Sequence, residues 1–126
     1  MRYLPSAMLV IVGLIHLLPV SGVLGGERLS SLYGVALTEP NITILMQHRA
    51  VLFGLLGLFM LVAAFKPSFQ PAAFVAGFVS VASFLWIASA AGGYNVAIGR
   101  VVAADIFALG CLLLGASAYA YGHRAG

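Results

Sequence analysis

The longest stretches of this chain carry almost no charge, and this feature limits the folds that are open to it. Only 7% of its 126 residues are charged, whereas 63% are hydrophobic. Soluble domains average about 25% charged residues. A water-soluble fold of this size would need more polar side chains for its surface than the sequence supplies. A lipid-facing surface is apolar, so we expect an integral membrane protein whose main partner is the lipid bilayer.

Proline and glycine divide the apolar sequence into four segments of helical length. None of them alternates apolar and polar residues with a period of two, so the pattern does not favour strands. The predicted fold is all-α and a single domain: a four-helix transmembrane bundle with helices at about 4–20, 42–65, 71–91 and 95–121. The short connections favour antiparallel packing of sequential helices. A short amphipathic segment, residues 27–35, is expected to form an interfacial helix between the first two spans.

The basic residues of the connecting segments indicate an orientation. With both termini inside, the inner segments carry three basic residues and the outer segments two, which favours an N-in, C-in arrangement. The inner set is Arg2, Lys66 and Arg124, and the outer set is Arg28 and Arg100. The first 22 residues also resemble a signal peptide with its cleavage site. We prefer an uncleaved first helix because it keeps the number of spans even.

Three polar residues border apolar runs that are too short to cross a membrane alone. A hydrocarbon core of about 30 Å takes about 20 helical residues. The runs next to Arg49, Asp105 and His16 have 16, 16 and 12 residues, so these side chains must enter the membrane or its edge. Arg49 and Asp105 both lie about 24 Å along their helices from the inner side. Opposite charges at one depth should pair, so we expect an Arg49–Asp105 ion pair between the second and fourth spans.

The polar layer predicts a ligand site, and each member also has a structural interpretation. Trp86 lies at nearly the same depth and, with Tyr33, is expected to wall the site, while Gln47 points toward the small-residue face of its helix. The alternatives are a snorkelling arginine, an aspartate that only accepts hydrogen bonds, a histidine bonded to a backbone carbonyl and a tryptophan that anchors the interface. The candidate site residues are Arg49, Asp105, His16, Gln47, Trp86 and Tyr33.

Several kinds of chemistry have no motif in the sequence. The nucleotide-binding patterns and the H-E-x-x-H and G-x-S-x-G patterns are absent. The single cysteine, Cys111, leaves no disulfide or C-x-x-C pair. Basic residues do not cluster with aromatic ones, so nucleic acid is not an expected partner. A haem between His16 and His48 conflicts with the outward direction of His48. We therefore expect no catalytic residue, metal site or haem, and no enzyme activity.

The order of several short features resembles the DoxX-like family of small four-helix membrane proteins. The features are an early apolar helix, Leu32-Tyr33-Gly34, His48-Arg49 before a Gly-rich helix, Phe65-Lys66-Pro67 and the Arg100…Asp105 start of the last helix. The resemblance implies a helical bundle of bacterial origin, hence an inner-membrane location. It also implies a link, in some relatives, to quinone-dependent or thiol-related redox complexes. The lack of paired cysteines argues against a thiol role here.

Three functions follow as hypotheses. The first is a binding or accessory subunit that holds a quinone or lipid near Arg49 and Asp105, on its own, as a homo-oligomer or beside a membrane redox complex. The second is a small transporter or proton-coupled carrier, acting as an oligomer, in which Asp105 or His16 titrates. The third is a purely structural subunit in which the ion pair fixes helix register.

Overall fold

The chain is all-α in a computed structural model, which describes residues 3–20, 25–34 and 39–125, with the backbone alone at 26, 28, 29 and 123–125. Five helices follow one another, and the described residues contain no strand. They are α1 (Leu4–Leu17), α2 (Gly26–Tyr33), α3 (Pro40–Phe65), α4 (Gln70–Ala90) and α5 (Val96–Ala125). The helical fold class is confirmed, as is a short helix between the first two long segments. Outside the described residues lie the cleavage region at Ser21-Gly22, the end of the interfacial segment at Val35 and the side chains of Arg2, Arg28 and Arg124.

The ends of α3 follow from local chemistry. The Glu39 carboxylate accepts hydrogen bonds from the backbone N–H groups of Asn41 (3.0 Å) and Ile42 (3.1 Å). Pro40 occupies the first turn, where its missing N–H costs nothing. This cap starts the helix two residues earlier than the predicted position 42. At the other end, Lys66 is extended because it precedes Pro67.

Among the described residues, three helical segments are long and apolar enough to cross a membrane: Pro40–Phe65, Pro67–Ala90 and Val96–Gly122. The second of these includes the 3-10 turn Pro67–Phe69 that precedes α4. The first segment, Leu4–Val20, is apolar but shorter. At about 1.5 Å per residue its 17 residues span about 26 Å, slightly less than a typical hydrocarbon core. Its predicted crossing therefore depends on how it packs.

Helix α1 packs most extensively against α3 and α5, and α4 completes the bundle by packing against the same two helices. Gly13 and Gly57 let α1 and α3 approach closely, because a Cβ placed on Gly57 would lie 2.8 Å from the Gly13 carbonyl oxygen. Val20 lies beside Gly54, so the two helices run antiparallel, as predicted for sequential spans. In the part of the chain that the structure describes, α3 and α5 do not pack against each other. They occupy opposite corners.

Different groups occupy the space between α3 and α5 at the two ends of the bundle. At one end, the buried Gln70 amide donates to the Ser6 hydroxyl (3.2 Å) and to the Ala63 carbonyl (3.0 Å), which joins α1, α3 and α4. At the other end α1 stops early, and α2 contacts both α3 and α5. A cavity remains between the end of α1 and α2.

Candidate ligand-binding site

A cavity of about 290 Å³ opens between four helices at the end of the bundle that carries α2. The end of α1 and the following turn form one side, α2 the opposite side, and α3 and α5 the remaining walls. Most of its surface is apolar, and the polar side chains are few. Four of the six predicted site residues line it: His16, Tyr33, Arg49 and Asp105.

Arg49 is held in place by aromatic rings and one hydrogen bond. Its Nη1 donates to the Tyr33 hydroxyl at 2.8 Å. The guanidinium carbon lies 4.4 Å from the centre of the Phe53 ring, 5.4 Å from that of Tyr33 and 5.9 Å from that of Phe84. Such cation–π contacts stabilise a partly desolvated charge by about 0.5–2 kcal/mol. The guanidinium is therefore fixed at the cavity wall, which argues against the snorkelling alternative.

Tyr33 also ties α2 to α5. Its backbone carbonyl accepts a hydrogen bond from Asn95 Nδ2 at 2.9 Å, and the Gly34 carbonyl accepts from the same amide at 3.1 Å. Gly34 ends α2 with a φ of +68°, a left-handed conformation that favours glycine. Asn95 Oδ1 in turn accepts from the N–H of Ile98 (2.8 Å) and caps α5. Asn95 was missed as a site residue, although its position before an apolar run signals a helix cap.

Asp105 faces the cavity from α5 and is half-buried. Within the described residues its carboxylate has no hydrogen-bond donor and no ion-pair partner. The predicted direct Arg49–Asp105 ion pair is therefore absent from this part of the chain. The two residues share a depth, but α3 and α5 stand at opposite corners with α2 between them. Arg49 bonds to Tyr33 instead.

His16 is almost fully buried, with 3% of its surface exposed. Its Nδ1 lies 3.0 Å from the Val12 carbonyl oxygen and its Nε2 3.1 Å from the Ser80 hydroxyl oxygen. A carbonyl oxygen only accepts, so Nδ1 carries the hydrogen, and in the neutral ring Nε2 accepts from Ser80. The ring centre lies 5.5 Å from that of Phe53. The structure thus shows the bond to a backbone carbonyl that was the structural alternative for His16, and both ring nitrogens are occupied.

The other two predicted residues do not line the cavity. Trp86 on α4 is 76% exposed, so its side chain points away from the bundle, and the predicted wall does not include it. Gln47 lies two residues before Arg49 on α3 and is not among the residues that line the cavity. His48 is exposed, as expected, and is not among the lining residues. Arg100, which we counted with the outer segments, lies in the first turns of α5, within the predicted fourth helix, and lines the cavity.

The searched residues contain no group of three or more His, Cys, Asp or Glu side chains suited to a metal ion. Comparison with family models, curated proteins and solved structures finds no match for this chain. Fold and site together define a helical bundle with the composition and helix lengths of an integral membrane protein and a largely apolar cavity lined by two arginines and one aspartate.

Proposed function

We propose that the chain is a membrane binding protein or accessory subunit that holds a hydrophobic or amphipathic ligand, a quinone or a lipid, in this cavity. The observation that carries the proposal is a fixed guanidinium in a largely apolar cavity. Ligand sites typically combine apolar walls with a small number of well-placed polar groups. A membrane protein with such a site meets its apolar ligands directly in the bilayer.

The size of the cavity supports binding of one end of the ligand. Pockets for drug-sized ligands occupy about 300–1,000 Å³, and this cavity of about 290 Å³ lies at the lower limit. It can take a quinone ring or a lipid head group, whereas a long hydrocarbon chain has to continue outside. Leu18, at the cavity and 71% exposed, offers an apolar surface for that chain.

Arg49 is the residue we assign to recognition of the ligand's polar atoms. A guanidinium has five N–H donors, and the Tyr33 hydroxyl takes one of them. The others have no acceptor within the described residues and can donate to a carbonyl, carboxylate or phosphate oxygen of the ligand. Because aromatic rings already hold the guanidinium, little side-chain entropy is lost when the ligand binds.

The cellular setting is part of the same proposal. The DoxX-like resemblance supports an inner-membrane protein of bacterial origin, and the loop charges support an N-in, C-in orientation. The same resemblance supports a role beside a quinone-dependent membrane complex, and homo-oligomers fit it equally well.

Mass spectrometry of co-purified molecules tests the proposal. Wild type, Arg49→Gln and His48→Gln are purified in a maltoside detergent and extracted, and quinones and lipids are quantified per protein. His48 is the matched control because it neighbours Arg49 but is exposed outside the cavity. We expect wild type and His48→Gln to retain the same ligand and Arg49→Gln to lose about tenfold, the loss that about 1.4 kcal/mol produces. A wild-type protein without stoichiometric ligand, or equal retention by all three proteins, would overturn the proposal.

A further inference from the structure

We infer that the cavity is built for the head group of an aminophospholipid, which carries a phosphate and a primary ammonium. This inference rests on the proposed function and narrows its ligand to one class. It starts from the charges on the cavity walls, which are of both signs. Arg49 and Arg100 supply two positive charges, and Asp105 supplies one negative charge.

The backbone positions of Arg100 and Asp105 are separated along the cavity wall. Arg100 and Asp105 are five residues apart on α5, a rise of about 7.5 Å. Arg49 lies on the facing helix α3 and does not form an ion pair with Asp105 within the described residues. Charges of both signs therefore line one cavity without pairing with each other within the described residues, which suits a ligand that has charges of both signs.

The carboxylate of Asp105 favours a ligand with hydrogen-bond donors. It is half-buried against a mostly apolar surface, and the part of the chain that the structure describes gives it no donor. A desolvated charged group without a partner is destabilising. A primary ammonium has three N–H donors and the opposite charge, so it satisfies this carboxylate in both respects.

Other classes of ligand match the charges and hydrogen-bonding groups of the cavity less well. A quinone has carbonyl acceptors for Arg49 but no donor for Asp105. A head group with negative charge alone brings that charge close to the carboxylate, where like charges repel. A phosphatidylcholine head has both charges, but its quaternary ammonium has no N–H to donate. In an aminophospholipid head group, the phosphate can lie beside the two arginines and the ammonium beside Asp105. All three charged side chains then have a partner of opposite charge.

The experiment compares lipids that differ only in the head group. The full chain in maltoside micelles is equilibrated with an equimolar mixture of dioleoyl phosphatidylethanolamine, phosphatidylcholine and phosphatidylglycerol, with decylubiquinone as a fourth competitor. Bound molecules are counted by native mass spectrometry. The proteins are wild type, Asp105→Asn, which keeps the shape of the side chain and removes its charge, and Arg100→Gln. A melting curve for each protein shows that it is folded.

We expect wild type to bind phosphatidylethanolamine about tenfold more than phosphatidylcholine, a difference of about 1.4 kcal/mol, because only the ethanolamine head group donates N–H groups to the carboxylate. Asp105→Asn should abolish this preference, while Arg100→Gln should weaken the three phospholipids together. Equal binding of ethanolamine and choline lipids by wild type, or a preference that survives Asp105→Asn, would overturn the inference. Preferential binding of decylubiquinone would also overturn it but leave the proposed function intact. Binding of none of the four would overturn both.

Discussion

His16 shows how a polar side chain is accommodated inside this apolar bundle. Each ring nitrogen has one partner, the Val12 carbonyl one turn earlier and the Ser80 hydroxyl on α4. Buried polar groups without such partners destabilise a fold by about 1–3 kcal/mol. Because both nitrogens are engaged, His16 contributes to the cavity as a wall. Its free hydrogen-bonding capacity for a ligand or for proton transfer is small.

The hydrogen bond between His16 and Ser80 should contribute to the stability of the bundle. Ser80→Ala removes the partner of a buried ring nitrogen and should lower the free energy of unfolding by about 1 kcal/mol, the usual size for an interhelical hydrogen bond in a membrane protein. Ser83→Ala is the control, because the exposed Ser83 hydroxyl bonds only to the Ser80 carbonyl of its own helix. Unfolding in SDS titrations measures both variants. Equal effects would show that the His16–Ser80 bond does not contribute to stability.

At the scale of helices, the contact between α1 and α3 depends on two glycines that face each other. A side chain on Gly57 would meet the backbone oxygen of Gly13 at 2.8 Å and the Leu17 side chain at 3.0 Å. A backbone oxygen cannot move aside as a flexible side chain can. Close backbone approach of this kind increases the van der Waals contact that holds membrane helices together.

Gly57→Ala should therefore destabilise the bundle by about 1–3 kcal/mol, because overpacking forces the two helices apart. Gly110→Ala is the matched control: Gly110 lies on α5, and a Cβ there meets no heavy atom within 4 Å. That variant should be neutral or slightly stabilising, since alanine favours a helix by about 1 kcal/mol over glycine. The same SDS titration compares them. A Gly57→Ala protein as stable as the Gly110→Ala protein would contradict the role of this contact.

The positions of the helices could be predicted from the sequence, whereas the pairs of helices that pack against each other could not. Proline, glycine and the run lengths locate the helices to within a few residues, because these signals are local. Arg49 and Asp105, which the depth argument selected, both line the cavity. The depth argument failed for their pairing, since equal depth does not tell which helices are adjacent. It failed for Trp86 for a related reason: depth leaves open which side of a helix faces outward.

At the scale of the molecule, the cavity exists because α1 is shorter than the helices around it. Val20 lies beside Gly54 of α3, so α3 extends from position 54 back to 40, about 21 Å beyond that level. Helix α2 covers part of the resulting space and is fixed there by Arg49 and Asn95. The cavity is thus a consequence of the short first helix.

This arrangement predicts that α1 crosses the membrane despite its length, because its packing against α3 and α5 places it within the bundle. The test uses single cysteines in a Cys111→Ala background, labelled with a membrane-impermeant maleimide in vesicles of both orientations. Tyr3→Cys and Ser68→Cys should react from one side, and Gly93→Cys from the other. One crossing helix, α4, separates Ser68 from the 92–95 connection, and three, α1, α3 and α4, separate Tyr3 from it. In the N-in, C-in orientation the positions of Tyr3 and Ser68 are cytoplasmic. Reaction of Tyr3→Cys from the side of Gly93→Cys would mean that α1 does not cross, and the cavity would then lack one wall inside the bilayer.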